Sequence, residues 1–376
     1  MRALVVGGSG ATGPIIIRGL LSRGYEVTVL HRGVHEAELP PEVEHIHADP
    51  HWLESLKGAL GRRSFDLVLG VYGRLRVTAE AMKGHTSRLI SVGGASAIYK
   101  GWARITERYP QQWFEVSPVP IKEDHALATL PGVDHFTERA REAERVVMQA
   151  HEEGYYNATH FRYPVVYGPR NVSPHEWSIL RRILDGRRQL IVPGGGPILV
   201  SRGFAGNVAH GILAAVDNPD ASSGQIYNIA DESSTLTNRE WIRLVAQVLN
   251  HEFEFIEIPF DMLPPAFADA VTLTLLPYHQ VMDLSKIKQQ LGYKDVVPVE
   301  KGIELTVRWY VENPLPRGGE MEQVLGDPFN YEAEDRFIKL YCTEGGRLRE
   351  RLLEVPVSDT RFRHPYPHPK KPGDLR

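Results

Sequence analysis

The stretch Gly7-Gly8-Ser9-Gly10-Ala11-Thr12-Gly13, GGSGATG, satisfies two overlapping spacings, Gly8-x-Gly10-x-x-Gly13 and Gly7-x-x-Gly10-x-x-Gly13. Ala3-Leu4-Val5-Val6 before it reads as a fully buried strand, and Pro14 to Ser22 after it as an amphipathic helix. A chain that leaves a strand, turns sharply and starts a helix packed close to the sheet needs positions without a side chain. The same turn lets backbone amides approach a pyrophosphate, and the helix offers free N–H groups and the positive end of its dipole. Glycine spacing alone is a weak signal. Set between the strand and the helix of a first βαβ unit it points to a dinucleotide, with candidate contacts at Gly7, Ser9, Gly10, Ala11, Thr12 and Gly13.

Outward from that unit, Gly24 stops the helix and Glu26 to Leu30 forms the next strand. Further strands are expected at Val43 to His47, Leu67 to Gly70, Arg88 to Val92, Ala158 to Arg162 and Gln225 to Ile229. Strands interleaved with helices predict an α/β fold with a Rossmann-type, doubly wound parallel sheet. Residues 1–172 and 203–250 read as its dinucleotide-binding domain, with a smaller substrate-binding region at 173–202 and 251–315. A C-terminal extension covers 316–376; a charged, helical stretch from Gly319 to Val355 precedes an extended tail, RFRHPYPHPKKPGDLR.

The end of the second strand decides between dinucleotides. An NAD site places Asp or Glu there to accept from the ribose hydroxyls, whereas this chain has Leu30-His31-Arg32-Gly33. Arg32 can fork onto a 2′-phosphate, and a charge-assisted bond of ~1.5–3 kcal/mol is worth roughly ten- to hundredfold in preference for NADP. NADP is therefore the expected cofactor, with NAD possible.

Composition sets bounds around this reading. The 376 residues carry 43 Lys and Arg against 47 Asp and Glu, a net charge of −4, which gives no electrostatic footprint for nucleic acid. No apolar run approaches the ~20 residues that span a bilayer, and Met1-Arg2 leads straight into a strand, so no membrane partner and a cytoplasmic location are expected. The single cysteine, Cys342, excludes an intramolecular disulfide and a cysteine-cluster metal site. His31, His35, His45, His47 and His51 lack a His-Glu-x-x-His pattern, and no metal is expected.

Over most of residues 1 to about 312 the chain resembles the extended short-chain dehydrogenase/reductase family, also called the NAD-dependent epimerase/dehydratase family. The resemblance rests on the glycine motif, HADP with Asp49, RLISVGGASAIY at the fifth strand, FRYPVVYGPRN at 161–171, GQIYNIADESSTLTNREWIRLVAQVLN, and the closing segments MDLSKIKQQLGY and VEKGIELTVRWY. It implies further cofactor contacts at Asp49 near the adenine, at Gly70 and Tyr72 after the fourth strand, and at Tyr163 and Val166 after the sixth. It also implies a small-molecule substrate, and a possible homodimer through the helix from Thr137 to Gly154.

The family's reaction centre is a Tyr-x-x-x-Lys helix plus a Ser or Thr. Tyr and Lys one turn apart face the same way, so the ammonium lowers the phenol's pKa and both reach the substrate oxygen. Matching FTERAREAE on Glu144 places Phe136 where the tyrosine should be and Ala140 where the lysine should be, and neither transfers a proton. Tyr366 to Lys370 has the spacing, but its two prolines forbid the helix. The family's Ser/Thr position falls on Ala95 with Ser96 beside it, and Val165 replaces a common asparagine. Candidate replacements for the acid are Tyr99 and Ser96 at the mouth of the fifth strand and His135 beside Phe136, each weighed against a packing or surface role.

Asn171 to Val200 carries a helix and a glycine turn, and Phe253 to Tyr278 is apolar and aromatic. Arg181, Arg182, Arg187 and Arg188 could hold a diphosphate or form a solvated helix face; the balance favours a moderately hydrophobic small molecule. The resulting expectation is an NADP-preferring oxidoreductase acting on a carbonyl or activated double bond. A non-catalytic dinucleotide-sensing protein, and an epimerase or dehydratase with a relocated acid/base, are the alternatives.

Overall fold

The computed structural model describes residues 1–33, 38–71, 74–93, 98–102, 117–129, 135–233, 235–263 and 278–356. In chain order the first half runs β1 (Arg2–Val6), α1 (Gly13–Leu21), β2 (Glu26–His31), β3 (Glu44–His47), α2 (Leu53–Leu60), β4 (Leu67–Gly70), α3 (Leu75–Ala81), β5 (Arg88–Gly93), α4 (His135–Glu152) and β6 (Asn157–Arg162). It continues with β7 (Val165–Tyr167), α5 (Glu176–Leu184), β8 (Gln189–Pro193), β9 (Leu199–Val200), β10 (Arg202–Phe204), α6 (Ala205–Asp217), β11 (Gln225–Asn228), β12 (Leu236–Thr237), α7 (Asn238–Gln247) and β13 (Glu254–Ile258). Helices at Ser285–Leu291, Val299–Glu312 and Glu320–Val324 follow.

Seven strands form one sheet in the order β11-β6-β5-β4-β1-β2-β3, every pairing parallel. The doubly wound sheet expected from the sequence is present, each strand within two residues of its expected bounds. The alternation of the pleat explains how it is buried on both sides. Ala3, Val5, Leu67, Leu69 and Ile90 point to the layer of α1 and α6, where Ile16, Ile17, Leu20, Val208 and Ile212 meet them. Leu4, Val6, Val68 and Leu89 point to the layer of α2, α3 and α4, against Leu56, Leu60, Ala79, Val147 and Ala150. The order reverses between β1 and β4, and the crevice outside their carboxyl ends is the place where such sheets bind ligands.

The chain divides into two compact units, Met1–Pro328 and Phe329–Arg376. The helical stretch expected over Gly319 to Val355 is not continuous: Gly326 takes a left-handed φ of 68° and Pro328 lacks an amide hydrogen, so the helix Glu320–Val324 stops in the first unit. In the second, Asn330 caps a new helix, Tyr331–Leu340, its side chain accepting from the Ala333 N–H at 3.1 Å, and Gly346–Leu353 follows a π-turn. The 361–376 tail lies outside the described residues. No helix among the described residues is long and apolar enough to cross a membrane.

Candidate functional site

The turn after β1 explains its own sequence. Gly7 sits at φ 79°, a left-handed value that side chains resist, while its N–H donates to the Leu30 carbonyl at 3.0 Å. A Cβ on Gly13 would stand 2.1 Å from the Gly8 carbonyl oxygen, so α1 can start this close to the turn only with glycine. Gly10 differs: a Cβ there would meet nothing within 4 Å. Open space at the tip of the turn, in front of the first amides of α1, is the cradle a pyrophosphate requires and a side chain would fill. Ser9 and Ala11 flank it half-buried, and Thr12 is buried with its hydroxyl 3.3 Å from the Tyr163 hydroxyl.

Tyr163 reaches this turn from beyond β6, where its N–H donates to the Gly93 carbonyl at 3.3 Å. Its phenol is pushed well up by burial. Gly70 closes β4 with Leu75 packed so near that a Cβ would lie 2.7 Å from it. Val166 lies in β7 beside Gly203, its carbonyl accepting from Asn171 at 2.7 Å. Tyr72 and Ser96 fall outside the described residues.

At the carboxyl end of β2 Arg32 is exposed, and no carboxylate ends the strand. Asp49 accepts from the His51 N–H at 2.9 Å and pairs with its ring at 2.7 Å. These contacts, with the charge of Arg32 adding, hold the Asp49 carboxyl below its usual range. His31 Nδ1 accepts from the Gly33 N–H at 3.1 Å, so its Nε2 carries the proton facing His45 Nδ1 at 2.9 Å. Among the described residues no group of three His, Cys, Asp or Glu is placed to hold a metal ion.

The two described sequence candidates for proton transfer, His135 and Tyr99, differ in setting, one exposed and one buried. His135 begins α4 with its side chain 88% exposed, 3.4 Å from Glu138. Phe136 is also exposed, and Ala140 half-buried. Tyr99 is fully buried, donates to Asn228 Oδ1 at 2.6 Å and accepts from Arg162 Nη1 at 2.8 Å, with the guanidinium 4.8 Å from its ring centroid. Burial pushes its phenol up to about 12 against the pull of Arg162.

Beneath these residues lies a polar network that the sequence reading did not anticipate. Arg162 forks onto Glu144; His160 Nε2 lies 3.5 Å from Glu144, and His160 Nδ1 lies 2.7 Å from the Ser91 hydroxyl. Burial tends to raise the Glu144 carboxyl, but the Arg162 hydrogen bonds and the nearby charges outweigh it and hold it low. His160 is pushed down to about 4, chiefly by burial. Residues alternating along β5 and β6 supply Ser91, His160 and Arg162, a period-2 signal hidden by the apolar residues between them.

The arginines of α5 form neither a free anion site nor a solvated face. Arg182 is buried and forks onto Asp327 at 2.6 and 3.1 Å. Arg181 binds Asp185 at 2.8 Å and also pairs with Glu322, whose Oε1 accepts from Trp177 Nε1 at 2.8 Å. Arg188 is exposed and Arg187 half-buried.

A family model described as the NAD dependent epimerase/dehydratase family matches residues 3–230. Over 171 residues the chain is 29% identical to the uncharacterized protein y4nL of Sinorhizobium fredii, covering 40% of this chain and 47% of that one. Over 168 residues it is 26% identical to the uncharacterized protein YbjS of Escherichia coli, covering 38% and 49%. The chain spans about half the length of these curated relatives. Among solved structures, a UDP-glucose 4-epimerase of Thermotoga maritima with UDP-glucose matches at a TM-score of 0.66 and 18% identity, over 83% of this chain and 99% of that one. A dTDP-glucose 4,6-dehydratase of Streptomyces venezuelae with NAD bound matches at 0.63 and 19%, over 83% and 98%. At these identities the likeness is one of fold.

Proposed function

The chain belongs to the NAD dependent epimerase/dehydratase family, and from that premise we propose that it is an oxidoreductase of extended short-chain dehydrogenase type, preferring NADP(H), that reduces a carbonyl or activated double bond of a moderately hydrophobic small molecule. The observation that carries this reading is the open cradle at Gly10 together with an exposed arginine, and no carboxylate, at the end of β2. The residues fit the cofactor: the turn from Gly7 to Gly13 would hold the pyrophosphate, Arg32 the 2′-phosphate and Asp49 the adenosine.

When bound, the reduced dinucleotide supplies a hydride. The protein's own part is to orient the substrate, exclude water and place a proton on the oxygen that gains the electron pair. Of the two tyrosines beyond β5 and β6, Tyr163 is the better placed donor, because its hydroxyl rests on Thr12 of the cofactor turn. Tyr99, between Arg162 and Asn228, fits a positioning role. Phe136 and Ala140 leave no Tyr/Lys shuttle, which weighs against an epimerase or dehydratase. A nucleotide sugar is disfavoured because the acidic partners of Arg181 and Arg182 leave neither for a diphosphate.

The absent Tyr/Lys pair also favours a second reading, a protein that binds the dinucleotide as a signal without turning it over. Fluorescence titration with NADPH and NADH, followed by an NADPH-oxidation screen over ketones, enones and aromatic carbonyls, decides. Tighter NADPH binding by roughly tenfold or more, reversed or abolished in Arg32→Asp, is expected. Equal affinities would remove the NADP preference; tight NADPH binding with no turnover would favour the sensor.

A further inference from the structure

We infer that Trp52 is the stacking surface for the adenine of the bound dinucleotide, with Arg74 bracing its ring. This rests on the dinucleotide reading above, not on the choice between NADP and NAD, and it assigns two residues that the glycine and β2 signals leave out. The sheet order puts β1 and β2 between β4 and β3. β3 runs out beside β2, where His47 is the register partner of His31 and the Ala48 N–H donates to the His31 carbonyl at 3.1 Å. β4 runs out beside β1, where Gly70 is the partner of Val6 and the Val71 N–H donates to the Val6 carbonyl at 3.0 Å. Trp52 stands past the first exit, just before α2, and Arg74 past the second, just before α3.

The two side chains nonetheless meet: the Arg74 guanidinium carbon lies 5.8 Å from the Trp52 ring centroid, within cation–π reach. Neighbouring strands are about 4.8 Å apart, so the two exits are separated by roughly 14 Å, and the contact bridges the carboxyl ends of the strands between them. The pyrophosphate site follows β1 and the ribose site follows β2. Pyrophosphate, ribose and base therefore run along this edge in the order β1, β2, β3, which brings the purine beside Trp52.

Helix formation does not account for the tryptophan. Trp52 is the N-cap of α2, a position that favours Ser, Thr, Asp or Asn, and its side chain makes no capping bond. Packing does not account for it either. The residue is 63% exposed, although burying an aromatic side chain of this kind removes about 150–250 Å² from water. A single exposed aromatic is ordinary on a protein surface. One braced by a cation at the ligand edge of a doubly wound sheet is a stacking platform, because a purine offers a π face and the indole is open to it.

The test is calorimetric titration of the full chain with NADPH, NADH, ADP-ribose and reduced nicotinamide mononucleotide; ADP-ribose lacks the nicotinamide and the mononucleotide lacks the adenine. Trp52→Ala should weaken both dinucleotides and ADP-ribose by roughly five- to hundredfold, with the mononucleotide within about twofold and the thermal midpoint within a few degrees. Arg74→Gln should weaken the same three by roughly two- to fivefold. ADP-ribose should also quench tryptophan emission of the unaltered protein. In Trp52→Phe that quench should disappear while ADP-ribose affinity stays within about threefold, which a merely structural role would not produce. Equal weakening of all four ligands in Trp52→Ala, unchanged binding of the dinucleotides, or a quench that persists in Trp52→Phe would overturn the assignment while the dinucleotide reading stands. If the unaltered protein binds neither dinucleotide, both fail together.

Discussion

Arg162 and Glu144 meet as a two-pronged ion pair, Nε to Oε2 at 2.8 Å and Nη2 to Oε1 at 2.7 Å, with both side chains buried. The pair fastens α4 to the carboxyl end of β6, and the third nitrogen of Arg162 holds the Tyr99 hydroxyl and the Glu123 carbonyl, both at 2.8 Å. Buried charge of this kind is weak evidence for stability, because desolvation offsets the attraction. Its effect is on geometry: it fixes Tyr99 and the end of β6 in one arrangement beside the crevice.

His160, next to this pair, gives the fold a defined acid sensitivity. Its pKa falls from 6.5 to about 4. A histidine depressed in the folded state contributes stability above its unfolded pKa; that stability is lost as pH falls from about 6.5 toward 4, because the unfolded chain takes the proton first. Glu176, raised to about 7, and Asp231, raised to about 6, act with the opposite sign, so the test is a difference. Urea unfolding of the unaltered protein and of His160→Gln should give stabilities whose difference shifts by on the order of 3 kcal/mol between pH 7 and 4. A pH-independent difference would mean that His160 does not titrate on unfolding.

Gly10 and Gly13 should separate binding from folding. Gly10→Val puts a side chain into open space, so the thermal midpoint should stay within a few degrees while NADPH affinity is lost. Gly13→Val drives its Cβ into the Gly8 carbonyl, and the midpoint should fall by about 5 °C or more. Normal NADPH binding by Gly10→Val would show that the turn is not the phosphate site.

The segment just past Leu315 carries counter-ions for α5. Truncation after Pro328 retains Glu322 and Asp327 and should leave the first unit folded, with a cooperative melt. Truncation after Leu315 leaves buried Arg182 without Asp327 and should cost about 3–5 kcal/mol, enough to expose the domain to limited proteolysis. Equal stability of the two fragments would mean that these pairs contribute nothing.

What the sequence made legible, and what it did not, follows from the range of the interactions. Strands buried on both faces read as apolar runs, so Ala3-Leu4-Val5-Val6 and Leu67-Val68-Leu69 stand out without tertiary knowledge, whereas β3, Glu44–His47, and β6, Asn157–Arg162, carry polar residues and were placed by their spacing between helices. Gly7 and Gly13 were legible because a turn and a close approach are local demands. Arg181 and Arg182 were not: their spacing suits a wet helix face, and their partners Glu322 and Asp327 lie some 140 residues on. The partners of Tyr99 were not legible for the same reason, since Asn228 and Arg162 reach it from distant strands. Asn330, three residues before Ala333, is a local capping signal that marks where the charged stretch starts a new helix.

The last prediction divides proton donation from positioning. Tyr163→Phe removes a hydroxyl that hydrogen-bonds Thr12 at the glycine turn, so it should lower kcat by ~10²–10⁴-fold with NADPH affinity and thermal midpoint little changed. Tyr99→Phe instead strips a buried partner from Arg162 and Asn228. It should cost about 1–3 kcal/mol of stability and lower kcat less, through a misplaced neighbour. The measurement is kcat, KM and the urea midpoint for both variants on whichever carbonyl the NADPH-oxidation screen returns. A kcat loss confined to Tyr99→Phe, with Tyr163→Phe fully active, would reverse the two assignments. Full activity in both would move the proton source away from these tyrosines.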